Sequence, residues 1–139
     1  MIAGLIIKRK VKEGFEAMNQ RDLPKMMSSY RDDATLIYPG EVPGSGTFKG
    51  KAAIEGWFKQ DFDQFPSMHI DIKDIYVKSI FGLRTNTAVI HWDVQLTNRD
   101  GRAGKNSVVG VFEIKGGKLF RTTNFIFDYG EEKRLWSAD

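Results

Sequence analysis

His91 and Asp93 are the side chains of this sequence best suited to acid/base chemistry, and both lie in the run 88–96. The run alternates as a β-strand does, which places His91, Asp93 and Gln95 on one face and apolar side chains on the other. Burying such a polar face without partners is costly, which favours a lined pocket. The alternative is that the polar face meets water and the apolar face forms the core.

The His91–Asp93 pair predicts an acid/base couple because next-nearest residues on one strand face are close enough to interact. A neighbouring carboxylate raises the proton affinity of an imidazole, whereas desolvation opposes charging of either group. We predict that Asp93 protonates or orients an oxygen of a small apolar ligand and that His91 tunes it. Asn124, Gln95 and Tyr38 would then supply hydrogen bonds to the same ligand.

Composition limits the classes of protein that this chain can represent. Its 139 residues, 41% of them hydrophobic, predict a single domain over residues 1–139 with one core. The absence of cysteine excludes disulfides, thiolate metal sites and cysteine nucleophiles, and two histidines argue against a histidine-rich metal site. We therefore expect no metal and no cofactor.

Charge and hydropathy predict neither a nucleic-acid partner nor a membrane partner. The net charge is only +3, and acidic residues are interspersed with the basic ones without a long basic tract. The apolar run 1–7 is too short to span a bilayer, and its charges follow the run instead of preceding it. We expect a cytoplasmic protein whose first residues begin a helix.

Hydrophobic periodicity changes from helical to alternating along the chain, which predicts an α+β fold. Helices are expected up to about Asn19, from an Asp22 cap onward, and from Lys51 to Phe65, where an aromatic stripe includes Trp57 and Phe58. Strands are expected at 34–38, 68–77, 86–97, 105–115 and 119–129, with a short one around Thr47-Phe48. Turns are predicted at Phe81-Gly82, 99–101 and Gly116-Gly117. The tail 131–136 is interpreted as a solvated extension, with the alternative that Trp136 caps the pocket mouth or contacts a partner subunit.

Several short motifs together resemble the SnoaL-like branch of the nuclear-transport-factor-2-like superfamily. They are Asn19-x-x-Asp22-Leu23, Tyr30-x-Asp32-Asp33-Ala34-Thr35, Gly46-x-Phe48-x-Gly50-x-x-x-Ile54, the run 109–114 and Gly117-Lys118-Leu119. The resemblance implies a cone-shaped α+β fold in which three N-terminal helices pack on a strongly curved antiparallel sheet. It also implies an internal pocket for a small apolar molecule with a polar group, and a homodimer formed through the outer face of the sheet.

The catalytic residues of two related enzyme groups are only partly matched. The carboxylate base of ketosteroid isomerases falls on Tyr38, and their oxyanion-binding tyrosine and aspartic acid fall on Gly14 and Gly110, so that route is not expected. The arginine and aspartate of limonene-1,2-epoxide hydrolases fall on His91 and Asp93. Their water-activating aspartate falls on Asn124, and an amide cannot take a proton from water.

Strand register predicts how the candidate residues meet. A loop centred near Gly101 would set Asp93 level with Gly110, and a three-residue loop at 116–118 would set Gly110 level with Asn124. Asp93 and Asn124 would then lie about 10 Å apart with no side chain between them. The alternative for Gly110 is a bend in a curved sheet. The predicted pocket walls are Asn106, Val108, Phe112, Thr122 and Ile126 together with Trp57 and Phe58.

Two classes of function fit these observations. The first is a cofactor-independent isomerase, cyclase or hydrolase that acts on a small apolar ligand through Asp93 and His91. The second is a non-catalytic ligand-binding or dimerisation module of the same fold, in which the polar groups form a satisfied hydrogen-bond network.

Overall fold

A computed structural model describes residues 2–79 and 85–137 of the chain. Its helices are α1 (Ile2–Asn19), α2 (Leu23–Ser28), α3 (Lys51–Gln64) and α4 (Tyr129–Trp136). Its strands are β1 (Tyr30–Tyr38), β2 (Gly46–Lys49), β3 (Ser67–Lys78), β4 (Thr85–Thr97), β5 (Ala103–Lys115) and β6 (Lys118–Ile126). The turn predicted at Phe81-Gly82 lies outside the described residues.

The six strands form one curved, unclosed sheet in the order β2-β1-β6-β5-β4-β3, with the helices packed against it. The predicted α+β class and the cone-like packing of helices on a curved sheet are thereby confirmed. Two details differ from the prediction. The β1–β6 pair is parallel, and the last predicted strand ends at Ile126 because the chain then turns into α4.

Local sequence signals place the first two helices as expected. The Asp22 carboxylate accepts a hydrogen bond from the backbone N–H of Lys25 (3.2 Å), and Pro24 occupies the first turn of α2. The Asn19 side chain then fastens the end of α1 to β3, because it donates to the Ile70 carbonyl (3.0 Å) and accepts from the Ile70 N–H (2.8 Å). These two hydrogen bonds hold the C-terminal end of α1 against the sheet.

The register of β4 on β5 differs from the prediction by three residues. Asp93 lies opposite Ser107, and Gly110 lies opposite Ile90, because the connecting loop centres on Asp100. The Asn98 side chain organises this loop by accepting hydrogen bonds from the N–H groups of Asp100 (3.0 Å) and Arg102 (2.8 Å). A shift by an odd number of residues exchanges the two faces of a strand, so the predicted facing of β4 is wrong.

The register of β5 on β6 agrees with the prediction, although the turn is shorter. Lys115 pairs with Lys118 around a two-residue turn whose glycines have φ values of 61° and 78°. An irregularity after Glu113 compensates for the shorter turn, so Gly110 lies opposite Asn124 as expected.

Gly110 is required by packing on the inner face of the sheet. A Cβ atom there would lie 2.7 Å from the Phe112 ring and 2.8 Å from the Trp92 ring. These two rings pack edge to face, with centroids 6.3 Å apart, directly over the glycine. Gly110 therefore allows the rings of Trp92 and Phe112 to pack together, and we call these two rings the aromatic floor.

None of the helices in 2–79 and 85–137 combines the length and apolarity needed to cross a membrane. Across those same residues, no group of three or more histidine and acidic side chains is arranged to hold a metal ion.

Candidate functional site

A cavity of about 570 Å³ occupies the space between the helices and the inner face of the sheet. Most of its lining is apolar, which suits a small hydrophobic molecule. Among the predicted wall and hydrogen-bonding residues, those that line this cavity are Trp57, Phe58, Val108, Phe112, Thr122, Asn124 and Tyr38. Asn106, Gly110 and Ile126 are buried beside it without lining it.

His91, Asp93 and Gln95 lie on the outer face of the sheet, so their predicted placement in the pocket is wrong. The opposite set on β4 is buried, and its members Trp92, Val94 and Leu96 line the cavity. The polar face thus meets water and the apolar face forms the core. The predicted gap between Asp93 and Asn124 does not exist, because the two side chains are on opposite sides of the sheet.

The two outer side chains do lie together, as their spacing indicates. His91 Nε2 is 3.9 Å from Asp93 Oδ1, and the His91 ring stacks on Phe127 with centroids 5.4 Å apart. The Ser107 hydroxyl donates to Asp93 (2.6 Å), and Lys73 Nζ lies 3.6 Å away. The Ser107 hydrogen bond, followed by the charge of Lys73, lowers the pKa of Asp93.

The polar groups at the buried end of the cavity come from three other elements. Tyr38 ends β1, Asp61 lies in the last turn of α3, and Glu132 lies in α4. Asp61 is 5% exposed and Glu132 is 4% exposed. Both carboxyl groups line the cavity, where a bound ligand would exclude the remaining water.

Glu132 is the centre of a buried hydrogen-bond network. The Tyr38 hydroxyl and Trp136 Nε1 (2.9 Å) both donate to its Oε1 atom. The Asn106 amide lies 3.5 Å from the Oε2 atom and also donates to the carbonyl of Asp128 (2.8 Å). Burial raises the pKa of Glu132, and the hydrogen bonds from Tyr38, Trp136 and Asn106 oppose that rise.

Asp61 occupies a different environment. Burial raises its pKa from 3.8 to about 8, the negative charge of Glu132 adds to the rise, and the positive charge of Arg21 opposes it. Within the described residues its carboxyl group accepts no side-chain hydrogen bond that would favour ionisation. Asp61 is therefore protonated at neutral pH while Glu132 is surrounded by donors that favour its carboxylate.

Two carboxyl groups with unequal environments can divide acid and base roles between them. Asp61 can donate a proton or a hydrogen bond to a ligand oxygen, and Glu132 can accept a proton. Burial of Tyr38, together with the negative charges that Glu132 and, at high pH, Asp61 carry, raises its pKa well above the usual value, so Tyr38 remains a neutral donor. The arrangement supports acid/base chemistry through these side chains.

Helical spacing in the sequence indicates that Asp61 and Glu132 lie on buried helix faces. Asp61 follows Trp57 by four residues and Phe58 by three, which places it on the buried aromatic face of α3. Glu132 precedes Leu135 and Trp136 at the same helical spacings, and all three are buried. The interpretation of 131–136 as a solvated extension is wrong because this segment is an amphipathic helix packed on the cone.

Comparisons with known proteins agree with the observed architecture. Residues 11–122 match the family described as the SnoaL-like domain. A search of curated protein sequences finds no match. Solved structures that resemble the chain include Bal32a from a soil-derived mobile gene cassette, with a TM-score of 0.82 and 20% identity over 94% of this chain and 95% of that one.

Two further structural neighbours have names that refer to small molecules. TerC, which was co-crystallised with polyporic acid, has a TM-score of 0.77 and 15% identity over 93% of this chain and 97% of TerC. A candidate polyketide cyclase from Xanthomonas campestris pv. campestris has a TM-score of 0.67 and 18% identity over 94% and 96% of the two chains. At such identities the likeness concerns the fold, whereas the family match covers most of the sequence. The chain therefore belongs to the SnoaL-like domain family.

Proposed function

We propose that this protein is a cofactor-independent acid/base catalyst acting on an apolar molecule that carries a carbonyl group. The observation that carries the proposal is the position of Asp61 and Glu132 at the buried end of the apolar cavity, where burial raises the pKa of both groups but hydrogen-bond donors oppose the rise only at Glu132. This assignment replaces the His91–Asp93 couple, which is outside the cavity.

The chemistry of these residues is proton transfer next to a carbonyl group. The Glu132 carboxylate takes a proton from the carbon beside the carbonyl, while Asp61 donates its proton to the carbonyl oxygen. The product of this step is a neutral enol, with Glu132 protonated and Asp61 ionised. In a substrate with a neighbouring double bond, Glu132 returns its proton to the far carbon of the dienol and Asp61 takes back the enol O–H proton, which gives an isomer. In a substrate with a second carbonyl group, the enol carbon attacks that carbonyl carbon, Glu132 protonates the new alkoxide and Asp61 takes back the enol O–H proton, which closes a ring.

The comparisons support this class of reaction without identifying a substrate. A structural neighbour is a candidate polyketide cyclase, and TerC has been co-crystallised with polyporic acid. Family membership alone does not determine an activity, so the proposal depends on the buried carboxyl pair.

Exchange of deuterium from D₂O into 2-tetralone tests the proposed proton transfer without knowledge of the natural substrate. This aromatic ketone is small enough for the cavity and has acidic hydrogens beside its carbonyl group, whose loss is followed by NMR. We expect the wild-type protein to accelerate exchange and both Asp61→Asn and Glu132→Gln to reduce it at least about tenfold.

Asp63→Asn is the matched control because Asp63 lies on α3, two residues from Asp61, but is exposed. It should exchange as the wild type does. Wild-type protein that does not exceed the buffer rate, or equal loss of rate in the Asp63 variant, would contradict the catalytic proposal.

The second candidate is a binding module without catalytic activity. It is favoured by one observation, namely that the Glu132 carboxylate is already hydrogen-bonded to Tyr38, Trp136 and Asn106. In this candidate the network holds α4 in place and has no catalytic role. Ligand binding that persists in Asp61→Asn, with no exchange in the wild type, would favour this candidate.

We also propose that a second copy of the chain covers the outer face of the sheet. Tyr76, Phe125 and Phe127 on this face are exposed by 61%, 51% and 64%. Lys73 lies beside them between Asp71 (3.1 Å) and Asp93 (3.6 Å), so the surface carries both signs of charge. A two-fold axis brings the same patch of two copies together, and such a mixed surface is complementary to itself.

A further inference from the structure

The mouth of the cavity is surrounded by lysine side chains. The exposed side chains that line the cavity belong to Ile6, Lys10, Glu13, Lys25, Ser28 and Lys118, and the exposed Gly117 lies next to the last of them. They come from α1, α2 and the start of β6. The Leu119 N–H donates to the Ser29 carbonyl (2.8 Å), which holds β6 against the residue that follows α2. These elements therefore form one rim around the opening.

The three lysines of this rim have no carboxylate partner among the described residues. Glu13, the acidic residue of the rim, lies 3.9 Å from Arg9 instead. The Lys10 ammonium lies over the β5–β6 turn, since a Cβ atom on Gly117 would be 3.6 Å from Lys10 Nζ. Lys10 Nζ is thus close to the residue that precedes Lys118, and the rim carries three lysines and one glutamate.

The distance from this rim to the buried carboxyl groups follows from the strand register. Ile37 lies opposite Thr123, so Tyr38 is close to the level of Asn124, six residues along β6 from Lys118. At about 3.3 Å per residue, the rim and the buried polar end are about 20 Å apart. Apolar wall separates them, including Val11, Phe15 and Met26.

We propose that the cavity selects elongated apolar molecules with an anionic group at one end, which the lysines of the rim hold at the mouth. This inference rests on the proposed function, because the carbonyl group would then reach Asp61 and Glu132 at the other end. The anion is recognised by charge and hydrogen bonding, which a carboxylate, sulfonate or phosphate group can each satisfy.

A fluorescent fatty acid, 11-(dansylamino)undecanoic acid, and its methyl ester form a suitable pair of probes. They differ in the anionic group and share the apolar chain and the dansyl group. We expect the acid to bind the wild-type protein more tightly than the ester. We also expect added salt to weaken binding of the acid and to leave binding of the ester unchanged.

Substitution of the rim lysines tests whether the tighter binding of the acid arises at the mouth of the cavity. Each of Lys10→Gln, Lys25→Gln and Lys118→Gln should weaken binding of the acid by roughly two- to fivefold, and the triple variant by more. Lys12→Gln is the control, because Lys12 is exposed on α1 but does not line the cavity. Binding of the ester should not change in any variant.

Several outcomes would overturn the inference. They are equal affinity for acid and ester, no binding of either probe, or an effect of the control equal to that of the rim variants. The proposed function is tested separately with Asp61→Asn, which should keep its affinity for the acid while losing deuterium exchange. If the lysine variants bind the acid as the wild type does while the wild type still catalyses exchange, only the proposed ligand class is contradicted. If the lysine variants bind the acid more weakly but the wild type does not catalyse exchange, only the proposed catalytic role is contradicted.

Discussion

The Tyr38 hydroxyl donates a hydrogen bond to the Glu132 carboxylate, which lies 94 positions further along the chain. This contact joins the end of β1 to α4 at the buried end of the cavity. Trp136 donates to the same oxygen from one turn later in α4 (2.9 Å). The C-terminal helix is therefore part of the candidate active site and supplies one of its two carboxyl groups.

Tyr38→Phe should destabilise the fold and raise the pKa of Glu132. The variant removes a donor to a buried carboxylate, and hydrogen bonds to charged groups contribute about 1.5–3 kcal/mol. Urea unfolding at neutral pH should show a loss of that size. Tyr129→Phe is the control, because Tyr129 is 42% exposed, and unfolding free energies that match between the two variants would contradict the importance of the contact.

The rate of deuterium exchange should depend on pH with two limbs. Glu132 must be ionised to accept a proton, so the rate falls at low pH. Asp61 must be protonated to donate one, so the rate falls again as the pH rises through its pKa of about 8. In Asp61→Asn the limb near pH 8 should disappear from the residual rate, and a limb that persists would assign the ionisation to another group.

Asp61 should also make the stability of the fold depend on pH. Its pKa is about 8 when folded and 3.8 in an unperturbed carboxyl group, so the folded state binds the extra proton between these values. Stability from this group is complete below pH 3.8, is lost progressively as the pH rises to about 8, and changes no further above that. Asp61→Asn should remove this loss, which melting temperatures measured between pH 5 and pH 9 would detect.

For the stability experiment, Asp63→Asn should behave as the wild type, because that carboxyl group is exposed. A fall in melting temperature toward pH 9 that is equal in Asp61→Asn and in the wild type would contradict the raised pKa of Asp61.

The sequence predicted the fold and, of the seven predicted wall residues, five that line the cavity, but it did not predict the proposed catalytic pair. Periodicity located α3 and the strands well because apolar spacing depends directly on burial. The prediction of which face of β4 is buried was wrong because it depended on the centre of one loop. Hydrogen bonds to the Asn98 side chain set that centre at a different residue. Asp61 could not be predicted, because a single acid in an aromatic stripe resembles a solvated residue until long-range packing encloses it.

Gly110→Ala and Gly56→Ala should change stability in opposite directions. A methyl group at Gly110 collides with the rings of Phe112 and Trp92 at 2.7 and 2.8 Å, and overpacking of this kind costs about 1–3 kcal/mol. At Gly56, in α3, nothing lies within 4 Å of the added Cβ, so the higher helix propensity of alanine should add about 0.5–1 kcal/mol. Urea unfolding of both variants would test the pair, and a neutral Gly110→Ala would indicate that the aromatic floor is not closely packed.

Phe125→Asp should dissociate the proposed homodimer without unfolding the subunit. Phe125 lies on the outer face of the sheet and is 51% exposed in one chain, so its replacement costs little core packing. Placing a charge on the two-fold interface opposes the same charge of the second copy. Sedimentation velocity should therefore show a dimer for the wild type and a monomer for the variant.

Leu5→Asp is the matched control, since Leu5 is 68% exposed on α1, and it should remain dimeric. A monomeric wild type, or a control that dissociates as readily as the Phe125 variant, would show that this face is not the contact between copies.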